Sequence, residues 1–429
     1  MTSALLTDRY EITMVEAALQ AGTADRACVF ELFARRLPEG RRYGVVAGTG
    51  RFLDELSRFR FGEPELEWLR AGRIVDDRTI DWLADYRFSG DVRGYAEGEV
   101  YLPGSPILVV ESSFAEGVLL ETLALSVFNY DSAVASAAAR MVSAADGRPL
   151  AEMGSRRTGE RSAVSAARAA WIAGFGATSN LEAGRTWGVP TMGTAAHAFT
   201  LLHDTEEDAF RAQVATLGPG TTLLVDTYDV PTAVRTAVEV AGTGLGAVRI
   251  DSGDLPSVVA QVRRQLDELG ATGTKITVTN DLDEHTIAAL RAAPVDAFGV
   301  GTSVVSGSGH PAAGMVFKLV ARRDGDGAWV SVAKKSAEKA TVGGRKAPVR
   351  VLADGVATTE LVRIGDDDAR DGERPLLVPL VTGGVVDERW LGEAGTARAR
   401  EHRAAAVAEL PADALRLSRG EPVLPTVYR

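Results

Sequence analysis

Cysteine is almost missing from this chain of 429 residues: Cys28 stands alone. One thiol excludes an internal disulfide and any cysteine-rich metal site, and it fits a reducing compartment. Histidine is scarce as well, five in all, which leaves few groups for proton transfer or metal ligation near neutral pH. Positive charge is in deficit. Lys and Arg number 47 against 58 Asp and Glu, for a net charge of −11 and a pI of about 5.2. That balance disfavours a nucleic-acid partner or an anionic membrane surface, so any phosphate-bearing ligand needs a local basic pocket. No uninterrupted apolar run reaches the roughly 18 residues of a membrane span. Asp8, Arg9 and Glu11 break the N-terminal stretch, which therefore does not read as a signal peptide. The expected location is cytoplasmic. Familiar catalytic signatures are absent too: there is no G-x-x-x-x-G-K-[ST] loop, no H-E-x-x-H and no G-x-S-x-G.

What the chain does have is a repeated grammar of apolar segments that end in polar tips. The clearest is Arg249-Ile250-Asp251-Ser252-Gly253-Asp254-Leu255. The segment Leu245 to Ile250 reads as a strand, and Leu255, Val258, Val259, Val262, Leu266 and Leu269 form the stripe of a core-facing helix. The arginine and both carboxylates then lie at the carboxyl end of a strand, where α/β proteins bind ligands. Asp226-Thr227-Tyr228-Asp229, Asn280 to Glu284, Gly299 to Ser303, Glu152 to Arg157, Ala177 to Asn180 and Gly193 to His197 follow the same pattern. Their spacing of roughly 15–30 residues is that of βα units. The expected fold is α/β, a TIM-like (β/α) barrel preceded by an α+β region.

The rhythm bounds the organisation. Residues 1–125 read as an α+β domain, with strands over Ala27–Ala34 and Ser89–Val110 and helices over Phe52–Leu69 and Val75–Tyr86. Thr122–Met141 reads as a long Ala-rich helix. Residues 126–310 carry the βα barrel and the site. Past 310 the rhythm stops, and residues 311–429 form a third segment. They hold a hairpin about Asp324-Gly325-Asp326-Gly327, an acidic loop over Asp366–Glu373, a charged helix over Thr396–Ala408 and an extended tail over Glu421–Arg429.

Carboxylates, arginines and small-residue loops suit a sugar phosphate. Carboxylates hold ribose hydroxyls and favour a cationic transition state. Arginine forks grip phosphate oxygens, and backbone N–H groups of a Gly-rich turn such as Phe298 to Ser303 can cradle a terminal phosphate. His197 follows a small-residue loop; a neutral imidazole there is a competent nucleophile or proton carrier, and equally a packing or capping histidine. Arg156-Arg157 reads as a surface pair or as a loop facing a pocket. Lys334, Lys335, Lys339, Arg345 and Lys346 around Gly343-Gly344 read as a solvated basic loop.

With these residues in view the chain resembles the nicotinate phosphoribosyltransferases. Leu6-Thr7-Asp8-Arg9-Tyr10-Glu11-Ile12-Thr13-Met14 is similar to the family's T-D-x-Y-x-x-T-M signature, and Phe30-Glu31-Leu32-Phe33, Gly154 to Arg157, Thr178-Ser179-Asn180, Gly193 to His197, Arg249 to Leu255 and Gly299 to Thr302 follow in order. The resemblance implies transfer of phosphoribose from phosphoribosyl pyrophosphate to nicotinate, giving nicotinate mononucleotide and pyrophosphate in NAD salvage. The resemblance also implies an irregular TIM-like (β/α) barrel with an N-terminal α+β domain completed by C-terminal segments, so that residues 311–429 return to the N-terminal domain. ATP serves as co-substrate, Mg²⁺ rides on the pyrophosphate with no dedicated protein metal site, and a homodimer has its sites at the interface. It assigns Tyr10 to stacking on the pyridine ring from the partner subunit, Thr194 and Arg249 to nicotinate, and Arg156 to its carboxylate. Asp251 and Asp281 go to ribose or the pyrophosphate-bound Mg²⁺, and Gly301 and Thr302 to the 5′-phosphate. His197 matches the histidine that ATP phosphorylates, and His197, Arg249 and Asp251 form the expected catalytic set. Met153 departs from the pattern, standing where many relatives carry an aromatic residue. The nearest rival is nicotinamide phosphoribosyl transfer; Ser179 opposes it, because the nicotinamide enzymes place an acidic residue there. A barrel aldolase or sugar-phosphate isomerase lacks a suitably placed lysine. A non-catalytic nucleotide-binding regulator on the same fold has no reason to keep His197, Arg249 and Asp251.

Overall fold

The computed structural model describes residues 2–334, 341–365 and 369–429. The chain divides into two compact units, residues 1–136 with 310–429, and residues 137–309. The division falls inside one continuous helix, Glu121–Ala145, rather than at 125/126, because its small-residue spacing offers no break. Together with the turn before it, the run Phe114–Ala145 is long and apolar enough to cross a membrane by length and composition; two thirds of it is buried in the protein.

The first unit is built on a seven-stranded sheet whose ladders are all antiparallel. Ala27–Ala34 lies between Leu108–Ser113 and Met315–Arg323, and Leu377–Thr382 pairs with Asp91–Tyr95. C-terminal segments thus complete an N-terminal sheet. Met315–Arg323 and Trp329–Ser331 form the expected hairpin. The helical pattern over Phe52–Leu69 is in fact two helices, Thr49–Arg58 and Glu63–Ala71. Pro64 in the first turn starts the second one, and the Glu65 carboxylate accepts from the Gly62 N–H at 3.0 Å. The apolar spacing runs on through the break because Phe59 and Phe61 turn inward to meet Tyr86 edge-on, at 5.8 and 6.2 Å.

A second sheet of four strands holds Lys346–Ala353, Val356–Ile364, Glu373–Pro375 and the tail strand Thr426–Tyr428. Here the basic cluster departs from its expected solvated loop. Lys346 opens a strand, is 2% exposed and pairs with the buried Glu31 at 2.5 Å. Arg345 lies over the Trp329 ring at 5.6 Å and reaches Glu111 at 3.4 Å. Lys335 and Lys339 lie outside the described residues, as do Asp366, Asp367 and Asp368 of the acidic loop. A buried ionic network links the segments: Arg350 to Glu360 at 2.7 Å, Tyr95 to Glu360 at 2.8 Å, and Arg374 and His402 to Glu99 at 2.7 and 2.8 Å.

The second unit holds the βα rhythm. Its six strands are all parallel, in the order Ala177–Thr178, Leu150–Glu152, Ala297–Val300, Lys275–Val278, Ala247–Ile250, Thr222–Leu224. The sheet is a curled half-barrel: its two edge strands are not paired with each other among the described residues, so the expected ring is open. Strands of two to four residues pair over only two to four positions each, too few for the staggered ladders that closure needs. The stripe read after Arg249–Leu255 is the helix Leu255–Glu268, with Leu255, Val259, Val262 and Leu266 buried. Gly253 takes φ +87 in the loop between, a conformation that only glycine adopts cheaply.

Candidate active site

Parallel strands point all their carboxyl ends one way, so the polar tips of the second unit meet. They enclose two cavities. One, of about 160 Å³, is strongly polar and is lined by Arg156, Arg157, Arg249, Asp251 and Asp281 with Gly301 and Thr302. The other, of about 320 Å³, is lined by Ser179, Met192, Thr194 and the small residues after it. Met153, Arg156 and Arg249 face both.

Arg249 is held on three sides. Its Nε donates to Thr279 Oγ1 at 3.1 Å, one terminal nitrogen points to the Ala195 carbonyl at 3.5 Å, and the other lies 3.4 Å from Asp251 Oδ2. The Thr279 hydroxyl in turn donates to Asp251. The guanidinium is therefore oriented before any ligand arrives, which lowers the ordering cost of gripping an anion.

His197 lines neither cavity, but it is tied to the same group. Its Nε2 lies 3.2 Å from Asp226 Oδ1, while Asp226 Oδ2 accepts from the Asp251 N–H at 2.8 Å and the Ser252 hydroxyl at 2.6 Å. The Asp226 side chain is 1% exposed and that of His197 39%. A buried carboxylate thus joins the histidine to the Asp251 loop. Nearby, burial and the charges of Asp229 and Asp226 push Glu206 up to about 7.

Backbone conformation shapes the rim. Asn280 and Asp281, after the strand Lys275–Val278, take φ values of 107° and 40°. Two successive non-glycine residues with positive φ store strain of about 1–3 kcal/mol each, and they set the direction of the Asp281 carboxylate. The Glu152 carboxylate is buried and accepts from the Thr178 hydroxyl and the Gly154 N–H, fixing two neighbouring strand tips. Burial lifts its pKa against those hydrogen bonds. A Cβ on Gly154 would stand 2.2 Å from Val305 and 2.9 Å from the Gly301 carbonyl, so only glycine permits the Met153–Arg157 turn to pack on the Gly301 turn.

Of the expected residues, Arg156, Arg249, Asp251, Asp281, Gly301 and Thr302 share the polar cleft, and Ser179 and Thr194 share the adjoining cavity with Arg156 and Arg249. Tyr10 belongs to the first unit. It sits in the first turn of the helix Arg9–Gln20, 45% exposed, and lines neither cavity. Burial, with Glu121 beside it, lifts its hydroxyl to about 12. Local spacing assigns no role to Asp226, Thr279 or Met192. Asp226 and Thr279 stand at strand ends that read as polar tips; Met192 carries no signal beyond its place before Gly193-Thr194.

A curled parallel sheet with a preset arginine–carboxylate cluster at its strand ends defines an α/β half-barrel protein with a polar cleft lined by arginines and carboxylates. Similarity to known proteins narrows this. Residues 5–129 match the model of the nicotinate phosphoribosyltransferase (NAPRTase) N-terminal domain. The chain is 57% identical to a nicotinate phosphoribosyltransferase of Mycobacterium tuberculosis (strain CDC 1551 / Oshkosh), over 98% of this chain and 94% of that protein. It is 37% identical to the nicotinate phosphoribosyltransferase of Bacillus subtilis (strain 168), over 81% and 73%. The crystal structure of human nicotinic acid phosphoribosyltransferase superposes with a TM-score of 0.83 at 25% identity, covering 99% of this chain and 97% of the human one. The chain belongs to the nicotinate phosphoribosyltransferase family, the enzymes of NAD salvage.

Proposed function

We propose that the second unit transfers phosphoribose from phosphoribosyl pyrophosphate to nicotinate, and that ATP hydrolysis is coupled to the transfer through phosphorylation of His197. The observation that carries the reading is Arg249: one preset guanidinium faces both a polar cleft suited to phosphates and a roomier cavity suited to an aromatic acid.

The pyridine nitrogen has a free lone pair and needs no general base. It bonds to ribose C1 as the C1–oxygen bond breaks, and pyrophosphate leaves with that electron pair. Positioning and electrostatics carry the rate. Arg156 and Arg249 offset the nicotinate carboxylate, and Arg157 with the Gly301–Thr302 turn takes phosphate oxygens. Asp251 and Asp281 stabilise positive charge that develops on the ribose. These two carboxylates, which line the same cleft as the arginines, would suit a Mg²⁺ that keeps most of its ligands from pyrophosphate and water. Bound there, the ion would neutralise leaving-group charge. No group of three or more His, Cys, Asp and Glu suited to hold a metal by itself occurs among the described residues.

Asp226 engages Nε2 of His197, which leaves the Nδ1 lone pair to bond the γ-phosphorus of ATP as the bond to the β-phosphate oxygen breaks and ADP leaves with its electron pair; water later takes the phosphoryl group as orthophosphate. The added charge of nearly two units, set beside Asp226, Asp251 and the arginines, would reorganise the cluster and tighten substrate binding until hydrolysis releases product. Ser179 supports nicotinate over nicotinamide, since a hydroxyl tolerates a carboxylate where an acidic side chain would repel it. A homodimer, with Tyr10 of one subunit capping the ring held by its partner, accounts for a signature tyrosine 45% exposed in the first unit.

Pyrophosphate release with nicotinate, with and without ATP, and with nicotinamide as competitor, tests the reading. Release that depends on nicotinate and is enhanced by ATP is expected; release with nicotinamide alone would replace it.

A further inference from the structure

We infer that the cavity between Arg249 and Met192 accepts pyridine-3-carboxylates substituted at ring carbon 5, so that the chain phosphoribosylates a wider class of aromatic acids than nicotinate. The inference rests on the transfer reaction proposed above and deepens it.

The walls carry the argument. The cavity has about twice the volume of the polar cleft, 320 against 160 Å³. Apart from Arg156 and Arg249, it is lined by small side chains such as Ser179 and Ala195 and by two methionines, Met153 and Met192. No aromatic side chain is among its described lining residues. A flat wall on each side would hold a bare ring by shape; in the reading above the partner's Tyr10 supplies one such face, and on the others unbranched thioethers re-pack around added bulk and still attract an aromatic face.

Both methionines are fixed at the backbone and half-buried at the side chain. The Met153 N–H is bonded to the Val300 carbonyl at 2.7 Å and the Met192 N–H to the Thr178 carbonyl at 2.9 Å. Met153 rests its sulfur and methyl against Gly299 of the polar cleft, 2.8 and 3.0 Å from where a Cβ there would stand, so its thioether stands between the two cavities.

The chemistry selects the ring position. Carbons 2 and 6 adjoin the reacting nitrogen and a substituent there blocks attack on ribose. Carbon 4 adjoins both the carboxylate-bearing carbon and the side facing the arginines. Carbon 5 is free of both constraints. The bond balance is that of the parent reaction, with the nitrogen lone pair forming the bond to C1 and pyrophosphate leaving with its electron pair, so no further reactant is needed.

The test is steady-state turnover of nicotinate, 5-methylnicotinate and 5-bromonicotinate by the full chain with ATP present. The methyl compound keeps the basicity of the ring nitrogen and reads fit; the bromo compound reads fit with a weaker nucleophile. The expected kcat/KM for 5-methylnicotinate lies within about tenfold of nicotinate, at or below the roughly 10–200-fold by which a fitted pocket senses one methylene. Met153→Phe and Met192→Phe should each lower the ratio of 5-methyl to parent kcat/KM by about tenfold or more. Turnover of nicotinate with 5-methylnicotinate more than tenfold worse, or ratios unmoved in both phenylalanine variants, overturns the inference alone. Failure to consume nicotinate itself overturns the transfer reading beneath it.

Discussion

At the scale of single residues, Asp226 is the group on which the proposed phosphoryl cycle turns. It touches His197 with one oxygen and the Asp251 loop with the other. His197→Ala should abolish nicotinate-stimulated ATP hydrolysis while leaving slow transfer, because the ribose and phosphate contacts do not involve the imidazole. Asp226→Asn keeps the shape but loses the charge that orients Nε2. Replacing the carboxylate that sets the tautomer of a working histidine costs up to about 10⁴-fold in the Ser-His-Asp enzymes, and a drop of at least about tenfold in coupled ATP hydrolysis is expected. ATP hydrolysis and transfer measured side by side decide the matter: full coupling in either variant would remove His197 from the cycle. None of this is visible in local spacing. Asp226 and Asp251 are 25 residues apart, and their hydrogen bond follows from parallel neighbours, Thr222–Leu224 beside Ala247–Ile250. Arg249 and Asp251 are readable because they sit in one short run, between a strand pattern and a helix pattern.

Strands and turns set the precision of the site. The Gly154 turn packs on the Gly301 turn with no room for a methyl group, since a Cβ would meet Val305 at 2.2 Å and a backbone oxygen at 2.9 Å. Gly154→Ala should therefore destabilise the protein by about 1–3 kcal/mol, the usual cost of overpacking, and raise the KM for phosphoribosyl pyrophosphate because Arg156 and the Gly301 turn move apart. Thermal unfolding and kinetics together report both effects. The turn after Lys275–Val278 behaves oppositely. Asn280 at φ 107° is strained, so Asn280→Gly should raise the unfolding midpoint, by a relief of about 1 kcal/mol, yet weaken substrate binding as Asp281 loses its fixed direction. An unchanged KM in a stabilised Asn280→Gly protein would detach the strain from function. Sequence patterns locate these turns, but not the half-barrel's open edge, which depends on strand length and on how the helices cover it.

Across the whole molecule, the first unit draws its sheets from both ends of the chain, and charge is buried where they join. The tie between Lys346 and Glu31 is hidden from composition because a Gly- and Lys-rich stretch looks solvated, whereas its last lysine enters a strand. That residues 311–429 return to the N-terminal region is available only through family resemblance; pairing such as Phe30 with Leu319 leaves no local trace. Two buried carboxylates give this unit opposite pH responses. Burial pushes Glu99 up, but hydrogen bonds from His402 and Arg374 and the nearby arginine charges overcome it and bring it down to about 2. With an unfolded value near 4.5, its contribution is complete above that pH and is lost as pH falls toward 2. Glu11 is the reverse. Burial lifts it from 4.5 to about 7 despite hydrogen bonds from Thr122 and Thr7. The folded state then holds the proton that the unfolded state has released, so stability falls as pH rises from about 4.5 through 7 and levels off above. Glu11→Gln keeps an acceptor for Thr122, faces the Thr7 hydroxyl with an amide donor instead, and removes the ionisation. The expected result is a smaller drop in unfolding midpoint between about pH 5 and pH 8 than in the parent protein, with the acid limb below 4.5 unchanged because Glu99 still governs it. Calorimetry across that range checks both halves, and a variant whose alkaline slope matched the parent would show that Glu11 is not the group responsible.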